Sequence, residues 1–594
     1  MARRFPNPKP DRSSAPAADA GAPGEGLIAR SRWVGLLLAL LTAGMLVLCF
    51  APFNVWPLAY VCHVPWLLMV GLSTSARRVY VLSYLMGAAF FCTSIYWLFM
   101  VTGLGSAVLF AIFAVHFPLM ACPIRHVIRR RRWPLVFTFP FIWVGSEAVR
   151  SMFLLEFPWN LLGHSHHALR PMIQISDLVG AYGVSFVLAA TNGALADLLL
   201  MRWLPAADGA TQPPRRRVLS PVAAAVLIVA TLAYGAYRLR EGRTTMSPGP
   251  TVAVIQGNYP NYVDPRAHGQ VATPRQRADR YFELLDASAA EKPDLFLLPE
   301  TPWYMSLNAE HLAVASRQDY YGMYSSVTCY EAFRRRAMEY AAYIVTGSAS
   351  VEPTPLDLRA KERRFNSAFV FSPDGSPPAR YDKIHLVMIG EYVPFRFGPL
   401  RFLYLWINRI VPFYSEDYEY SLSPGEIFRT FRMTDRAGKS YGFATPICYE
   451  NVMPYISRRF VIDEHGEKRC DFLLNLSNDG WFLHSAELPQ HLAASVFRAV
   501  ENRVGMARAV NTGISCFIEP DGRVHDPVAV GGKVVGPEVD GYRVARVTVD
   551  SRRTLYARAG DWFALLCIGL WIVFYLDYML IRSVGQLQRK EDAA

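Results

Sequence analysis

Charged residues are scarce in this chain of 594 residues, since Asp, Glu, Lys and Arg make up 19% of it, whereas about 25% is usual for a soluble protein. Cysteine is also rare, with nine residues, and no spacing of cysteines is typical of a zinc site. The low charge and the hydrophobic content of 52% exclude intrinsic disorder for most of the chain. Nine cysteines in this length also exclude a small disulfide scaffold.

The apolar residues are concentrated in long runs. A bilayer-spanning helix needs about 20 mainly apolar residues, and eight runs approach or reach that length. They lie at 33–50, 55–72, 79–101, 104–122, 134–154, 176–201, 218–237 and 562–581. The sequence therefore predicts seven membrane spans, a long intervening segment and an eighth span.

The formal net charge of +12 suggests a nucleic-acid partner, which would require basic residues gathered on one folded face. The basic residues instead form clusters beside the apolar runs. These clusters are Arg77 and Arg78; Arg125, Arg129, Arg130, Arg131 and Arg132; Arg215, Arg216 and Arg217; and Arg582, Arg589 and Lys590. With eight spans they all fall on one side, as cytoplasmic positive charges do. We therefore expect cytoplasmic termini and no nucleic-acid partner.

The composition divides the chain into five parts. We expect a disordered basic tail at 1–32, a seven-span membrane domain at 33–238, an extracytoplasmic catalytic domain at 239–561, the eighth transmembrane helix at 562–582 and a cytoplasmic tail at 583–594. The extracytoplasmic segment contains short apolar strands, at 251–257, 294–300, 343–347 and 471–478, and helical stretches, at 275–291, 330–342 and 486–508. Continuous apolar strands between helices predict an α/β domain whose sheets are covered.

Three strand-like segments, one of them the predicted strand at 294–300, end in a residue that can do chemistry. Leu297-Leu298-Pro299-Glu300 ends in an acid, Tyr381-Asp382-Lys383 in a lysine, and Pro446-Ile447-Cys448 in a thiol. Functional groups gather beyond the carboxyl ends of strands in α/β sheets. The acid could take the thiol proton, and the lysine could stabilise the oxyanion of a tetrahedral intermediate. Each residue alone is equally consistent with a surface charge or a buried packing residue.

These segments resemble the catalytic blocks of the nitrilase (carbon–nitrogen hydrolase) superfamily. Flanking blocks, with the membrane spans, resemble its membrane-anchored branch, the apolipoprotein N-acyltransferases. They include Ile255-Gln256-Gly257-Asn258, Gly390-Glu391-Tyr392-Val393-Pro394, Ser477-Asn478-Asp479-Gly480-Trp481, Gln490-His491-Leu492 and Phe157-Pro158-Trp159-Asn160. The resemblance implies a polytopic α-helical membrane domain and an αββα nitrilase-like sandwich. It also implies a multi-pass protein of the bacterial inner membrane, with the catalytic domain in the periplasm.

The resemblance implies acyl transfer from a phospholipid to the α-amino group of a diacylglyceryl-cysteine in an apolipoprotein. Cys448 would be the nucleophile that carries the acyl group as a thioester, Glu300 the general base and acid, and Lys383 the oxyanion stabiliser. Supporting or substrate-binding roles fall to Glu391, Tyr449, Glu450 and Trp481. Two alternatives stay open. Water could resolve the thioester, as in a membrane-tethered amidase, or the chain could be a non-catalytic membrane scaffold.

No cofactor is expected, and no metal is assigned. A short run of histidines, His164, His166 and His167, is weak support for a metal site. The expected partners are the phospholipid donor, the lipoprotein acceptor and the bilayer, and nothing in the sequence requires more than a monomer.

Overall fold

A computed structural model gives the fold of the chain. It describes residues 31–153, 156–203, 214–259, 272–303, 305–319, 323–353, 362–395, 398–410, 421–536 and 539–591. Nearly all of the predicted N-terminal tail and the end of the predicted C-terminal tail lie outside these residues.

The N-terminal part of the structure is helical. Its helices are α1 (Arg32–Cys49), α2 (Val64–Leu72), α3 (Ala76–Ser94), α4 (Phe99–Thr102), α5 (Leu104–Ala114), α6 (His116–His126), α7 (Leu135–Met152), α8 (Arg170–Ile173), α9 (Ser176–Val179), α10 (Ala181–Trp203) and α11 (Pro214–Thr245). Serine caps begin two of them, because the Ser31 and Ser75 side chains accept hydrogen bonds from backbone N–H groups of the first turn.

Within the part of the chain that the structure describes, four helical segments are long and apolar enough to cross a membrane. They are Leu104–Arg131, Ala181–Arg202, Val218–Thr245 and Trp562–Ser583. The pair Ala76–Ser94 and Tyr96–Thr102, bent by 67°, makes five if it counts as one span. The structure thus supports a membrane-spanning helical region, with four or five spans by length and composition rather than clearly eight.

The difference has a physical cause in three of the predicted spans. The apolar helices Trp33–Cys49 and Trp56–Leu72 are shorter than the about 20 residues that span a bilayer. Helix α7 carries Glu147 and Arg150 within its last two turns, and both side chains are buried in the protein. These two charged residues lower the mean hydropathy of α7, which is not among the candidate spans, but they do not prevent the helix from packing among the other helices.

The described residues after α11 contain twelve strands. They are β1 (Met246–Gln256), β2 (Leu295–Leu297), β3 (Tyr343–Pro353), β4 (Glu362–Phe371), β5 (Ala379–Asp382), β6 (Phe431–Thr434), β7 (Ser440–Ala444), β8 (Phe472–Ser477), β9 (Gly505–Val510), β10 (Cys516–Ile518), β11 (Val524–His525) and β12 (Gly541–Asp550). Each of the four predicted strands overlaps one of them. Val252, Leu295 and Phe472 are fully buried, as expected for strands covered on both faces.

The strands form two six-stranded sheets. The first has the order β12-β1-β2-β3-β4-β5 and the second has the order β11-β10-β9-β8-β7-β6. Strands β1, β2 and β3 are parallel, as are β7, β8 and β9. The sheets meet where β9 lies against β1 and β12. Gly505 is required at this contact, because a Cβ there would lie 2.0 Å from the carbonyl oxygen of Thr548.

The remaining helices lie within or after this domain. They are α12 (Pro274–Ser288), α13 (Ala309–Leu312), α14 (Ser326–Glu339), α15 (Arg401–Ile410), α16 (Pro454–Val461), α17 (Glu487–Asn502), α18 (Leu555–Ala559) and α19 (Trp562–Glu591). Helices α12 and α14 cover the first sheet in one apolar core. A second core runs from the membrane-side helices through α17 into the second sheet.

Helix α17 ends earlier than the sequence predicted. The helical pattern extended to residue 508, but the helix ends at Asn502 because Arg503 adopts a left-handed conformation with φ of +51°. Strand β9 begins two residues later, at Gly505. Residues that are buried on every side lack the apolar periodicity that distinguishes a helix from a strand. The pattern of apolar residues therefore does not mark the point at Arg503 where the helix ends and the strand follows.

Buried ionic contacts join the domain to the membrane-side helices. Arg503 donates to Asp177, which follows α8, at 2.7 Å, and its guanidinium also reaches Gln174 at 2.6 Å. Arg238 of α11 donates to the same Asp177 carboxylate at 2.7 Å. These groups fix the domain on the helical region through charge as well as apolar packing.

Candidate active site

The strand-end residues come together because of strand direction. Strand β5 is antiparallel to β4, which is antiparallel to β3, so β2, β3 and β5 all point the same way. Glu300 follows β2 and Lys383 follows β5, and both therefore lie at one edge of the first sheet. Cys448 follows β7 at the carboxyl edge of the second sheet. The predicted clustering of the three residues rests on this geometry.

Glu300 and Lys383 lie in a buried group of four polar side chains. The Lys383 Nζ is 3.7 Å from Glu300 Oε1 and 2.9 Å from Glu391 Oε1. Asn366 Nδ2 donates to both carboxylates, at 2.6 Å to Glu300 and 3.0 Å to Glu391. Lys383 is 1% exposed, so its charge is balanced by these carboxylates rather than by water. Glu391 is accordingly close enough to orient the lysine.

Asn366 is a site residue that the sequence did not reveal. It lies in β4 among buried residues, and β4 pairs with β3 through a regular register. An asparagine between Phe365 and the apolar end of the strand was the available signal, because a polar side chain buried there needs hydrogen-bond partners.

A glycine lets the Glu300 segment approach the neighbouring strand. Gly347 of β3 donates its N–H to the carbonyl oxygen of Pro299 at 3.1 Å. A Cβ at residue 347 would lie 2.8 Å from the Glu300 Cα, so any larger residue would displace the carboxylate.

Burial and charge set the protonation of the site. Burial raises the pKa of Glu300, and the Glu391 charge adds to this, while Lys383, Asn366 and Cys448 act in the opposite direction. Burial alone would lower the pKa of Lys383, but the carboxylates of Glu391 and Glu300 outweigh it and raise the pKa overall. Burial and the Glu300 charge raise the pKa of Cys448 well above its usual value. The lysine is therefore charged and the resting thiol protonated.

Cys448 occupies a constrained turn. It is the first residue of a short 3₁₀ helix, Cys448–Asn451, which we call the nucleophile turn. Its φ of +52° lies in the left-handed region, which a residue with a side chain rarely adopts. Such outliers persist only where the surroundings hold them, and they cluster at functional sites. The partly exposed thiol is thus presented at the strand end by backbone geometry.

Glu450 ties the nucleophile turn to the segment that carries the lysine. Its Oε1 accepts hydrogen bonds from Tyr381 Oη at 2.7 Å and from the backbone N–H groups of Ile384 at 2.8 Å and His385 at 3.1 Å. Its Oε2 accepts from the Ile447 N–H at 2.8 Å. The carboxylate is fully buried and joins the ends of β5 and β7 directly.

Tyr449 faces the membrane-side helices. Its ring stacks on Trp159 with a centroid distance of 6.3 Å and an interplanar angle of 3°. Its hydroxyl donates to the carbonyl oxygen of Glu156 at 3.0 Å. The segment after α7 therefore borders the nucleophile turn, which the sequence suggested only as an aromatic block of the family.

Trp481 lies in the 3₁₀ turn Asp479–Phe482, directly after β8. The Asp479 charge in the same turn contributes to the raised pKa of Cys448. Phe482 packs edge-on against Trp97 at 4.7 Å. Trp481 thus belongs to a turn that contacts the membrane-side helices through Phe482.

A second buried polar cluster lies behind this turn and was not predicted. Among the described residues, Asp479, Glu487 and His491 are the one group of His, Cys or acidic side chains close enough together to hold a metal. His491 Nδ1 is 3.2 Å from Asp479 Oδ1, and Arg508 Nη2 donates to Asp479 Oδ2 at 2.9 Å. Arg508 already supplies a positive charge to Asp479, so we assign no metal there. The three histidines at 164, 166 and 167 do not form such a group.

The chain resembles known proteins along most of its length. Residues 42–194 match the family described as apolipoprotein N-acyltransferase N-terminal domain, and residues 251–530 match the carbon-nitrogen hydrolase family. The apolipoprotein N-acyltransferase of Geobacter metallireducens is 31% identical over 548 residues, covering 90% of this chain and 93% of the relative. That of Rhodopseudomonas palustris is 24% identical over 580 residues, covering 93% and 96%. Among solved structures, Saccharomyces cerevisiae Nit3, of the nitrilase superfamily, matches with a TM-score of 0.33 and 16% identity over 52% of this chain and 92% of its own.

Proposed function

The chain belongs to the apolipoprotein N-acyltransferase family, and on that premise we propose that it transfers an acyl chain from a phospholipid to the α-amino group of a lipoprotein's N-terminal diacylglyceryl-cysteine. It is an acyltransferase, and its substrates are lipids and lipoproteins. The proposed mechanism rests on one observation. The side chains of Glu300, Lys383 and Glu391 contact one another beside Cys448, where the catalytic domain borders the membrane-side helices.

The first half of the reaction forms a thioester. Cys448 Sγ attacks the ester carbonyl carbon of the phospholipid while its proton passes to Glu300, whose raised pKa suits a general base. The new sulfur–carbon bond gives a tetrahedral intermediate. As it collapses, the ester carbon–oxygen bond breaks and Glu300 returns the proton to the oxygen of the departing lysophospholipid.

The second half moves the acyl group to the lipoprotein. The α-amino nitrogen attacks the thioester carbonyl carbon, and its surplus proton passes through Glu300 to the sulfur as the carbon–sulfur bond breaks. The charged Lys383 ammonium stabilises the oxyanion in both halves, and Glu391 orients it through the 2.9 Å contact. Glu450 holds the nucleophile turn, while Tyr449 and Trp481 line the site.

The membrane-side helices serve this chemistry by concentrating lipids and excluding water. They enclose a mostly apolar cavity whose lining includes Phe90, Phe117 and Trp143, with Glu147 and Arg150 at its polar side. We propose that this region accommodates acyl chains. Excluding water matters because hydrolysis of the thioester would waste the donor.

The proposed arrangement in the cell has eight spans, cytoplasmic termini and a monomeric chain in the bacterial inner membrane. Residues 33–238 and 562–582 would span the bilayer, and 239–561 would form the periplasmic catalytic domain. Thiol labelling tests this orientation in a background in which the three cysteines that are not buried, Cys92, Cys122 and Cys448, are replaced by alanine. A reagent that cannot cross the membrane should label Glu464→Cys, whose wild-type side chain is 87% exposed, and leave Arg77→Cys unlabelled. The reverse pattern would overturn the orientation.

One assay separates acyl transfer from the amidase and scaffold alternatives. The purified full-length protein is incubated with phospholipid and a diacylglyceryl-cysteine peptide, and peptide mass and free fatty acid are followed together. Transfer predicts a peptide heavier by one acyl chain, whereas fatty acid release with an unchanged peptide would indicate hydrolysis. Neither product would indicate a scaffold. Cys448→Ala should abolish the product, and Cys92→Ala, at the exposed thiol of α3, should preserve it.

A further inference from the structure

Gln490 lies where the catalytic domain meets the membrane-side helices. It belongs to the first turn of α17, whose residues pack on the 3₁₀ turn Leu162–His166 and on α9. The side chain is 5% exposed. A polar amide at such a place must find its hydrogen bonds within the protein.

The Gln490 amide makes four hydrogen bonds, all to the helical region. Its Oε1 accepts from the indole N–H of Trp97 at 3.1 Å and from that of Trp159 at 2.8 Å. Its Nε2 donates to the carbonyl oxygens of Ala51 at 3.0 Å and Ser94 at 3.1 Å. One acceptor with two lone pairs and two N–H donors are thereby fully used. Chain segments that follow α1, α3 and α7 are held by one side chain.

One of these partners, Trp159, belongs to a row of stacked aromatic rings that leads toward Cys448. Phe113 stacks on Phe157 at 5.1 Å, Phe157 on Trp159 at 6.0 Å, and Trp159 on Tyr449 at 6.3 Å. We call these four residues the aromatic column. It begins in α5 and ends at the residue that follows Cys448 in the nucleophile turn. Gln490 holds the column at Trp159 through the indole N–H.

We propose that Gln490 is a positioning residue for acyl transfer. By fixing Trp97 and Trp159 it sets the aromatic column against Tyr449, and so fixes the nucleophile turn and closes its membrane-facing side to water. This inference rests on the proposed function, because positioning is defined by the two half-reactions at Cys448. Gln490 itself touches no reacting atom.

A matched control comes from the other buried glutamine of this junction. Gln174 accepts from Arg503 at 2.6 Å and donates to the carbonyl oxygens of Arg170 at 2.8 Å and Asp521 at 2.9 Å. It therefore bridges the same two regions, with two hydrogen bonds across the junction and one within its own segment, and none of its hydrogen bonds is with the aromatic column. Gln174→Met therefore measures how the loss of a bridging amide changes stability when the aromatic column is left intact.

The test compares Gln490→Met with Gln174→Met in the full-length protein, per folded molecule, with phospholipid and the diacylglyceryl-cysteine peptide. Single-turnover mass spectrometry gives the rate of acyl-enzyme formation and the division of the acyl group between peptide and water. Gln490→Met should slow acylation by about tenfold or more and raise the share lost to water. Gln174→Met should leave both unchanged. Wild-type values in Gln490→Met, or equal changes in both variants, would overturn the inference.

Gln490→Glu supplies a readout that a purely structural role would not move. The carboxylate keeps the acceptors for both indoles but faces the carbonyl oxygens of Ala51 and Ser94 without a donor. Protonation restores one donor, so the variant's acylation rate relative to wild type should rise as pH falls. A ratio that is flat with pH would count against the inference. Failure of the wild-type protein to form an acyl-enzyme would instead refute the proposed function.

Discussion

The Glu450 carboxylate offers a sharp test of how the site is held, because it joins two catalytic segments and reacts with nothing itself. It accepts three hydrogen bonds on Oε1, from Tyr381, Ile384 and His385, and one on Oε2, from Ile447. All four partners are donors, so the site requires the ionised carboxylate. Glu450→Gln keeps the shape of the side chain and replaces one acceptor oxygen with an NH₂ group.

The size of the effect follows from which oxygen is replaced. The amide oxygen will take the place of Oε1, since the other orientation would set an NH₂ group against three donors. The NH₂ group then faces the Ile447 N–H, and that hydrogen bond is lost. A hydrogen bond to a charged group contributes about 1.5–3 kcal/mol, and we expect the free energy of unfolding to fall by about that amount.

The lost bond lies next to the nucleophile, because Ile447 precedes Cys448. If about 1.4–2.7 kcal/mol of the loss appears in the transition state, acylation slows by about 10- to 100-fold. Glu450→Ala should lower the free energy of unfolding and the acylation rate further than Glu450→Gln, since it leaves all four donors without their acceptor.

Single-turnover acyl-enzyme formation, measured by intact-protein mass spectrometry, gives the rate, and thermal unfolding in detergent gives the stability. Glu426→Gln is the matched control. The Glu426 side chain is 79% exposed, and its carboxylate forms a weak surface ion pair with Arg363 Nη2 at 3.4 Å. It should leave both quantities unchanged. A Glu450→Gln variant that acylates at the wild-type rate would refute the reasoning.

Three further predictions follow from the site and its junction. Cys448→Ala should give no acyl-enzyme by mass spectrometry, and acylation on another residue would disprove its role. The Glu391 charge raises the pKa of Glu300, which must be ionised to act as base, so Glu391→Gln should shift the acid limb of the acylation rate profile to lower pH; a shift to higher pH would contradict this. Arg503→Met removes one partner of a buried ion pair with Asp177 and should lower the free energy of unfolding by about 3–5 kcal/mol in chemical denaturation, whereas an unchanged midpoint would show that the pair contributes nothing.

The strand ends were predictable because the signal is local. Each of the apolar runs before Glu300 and Cys448 ends in a Pro-containing turn, and a chemically capable residue after it falls at the sheet edge in any α/β arrangement. The sequence therefore predicted which residues would gather. The left-handed φ of Cys448 could not be predicted, since it depends on the contacts that hold the nucleophile turn.

The membrane region was less predictable, because apolar composition reports burial without saying what covers the residue. Helix α7 has an apolar run long enough to span a bilayer, yet Glu147 and Arg150 lie buried in it. Glu147 accepts from Trp143 Nε1 at 3.0 Å, and Arg150 donates to the carbonyl oxygen of Trp159 at 2.6 Å. Such groups are paired within the protein, and this pairing depends on tertiary contacts that hydropathy does not record.

Partners distant in sequence were beyond sequence reasoning for a single chain. Gln490 and Trp97 are separated by 393 residues, and Arg503 and Asp177 by 326. A sequence motif can identify one residue of such a pair, but it does not identify the residue that this one contacts. The histidine run at 164–167 shows the converse, because adjacency in sequence was weak support for a metal site, none was assigned, and among the described residues these side chains do not lie close enough together to hold one.

The charges around Cys448 bear on the proposed mechanism, in which the thiol reacts with the help of a base and is not a thiolate at rest. A thiolate at Cys448 would face the negative charges of Glu300, Asp479 and Glu391 against the positive charge of Lys383, and burial together with these carboxylates raises the pKa of the thiol well above its usual value. In the proposed mechanism the thiol therefore keeps its proton until Glu300 removes it during attack. Two of these carboxylates, Glu391 and Glu300, raise the pKa of Lys383, which stays protonated despite its burial. An excess of carboxylate thus suppresses charge on sulfur before the reaction and keeps a positive charge ready for the oxygen on which negative charge develops.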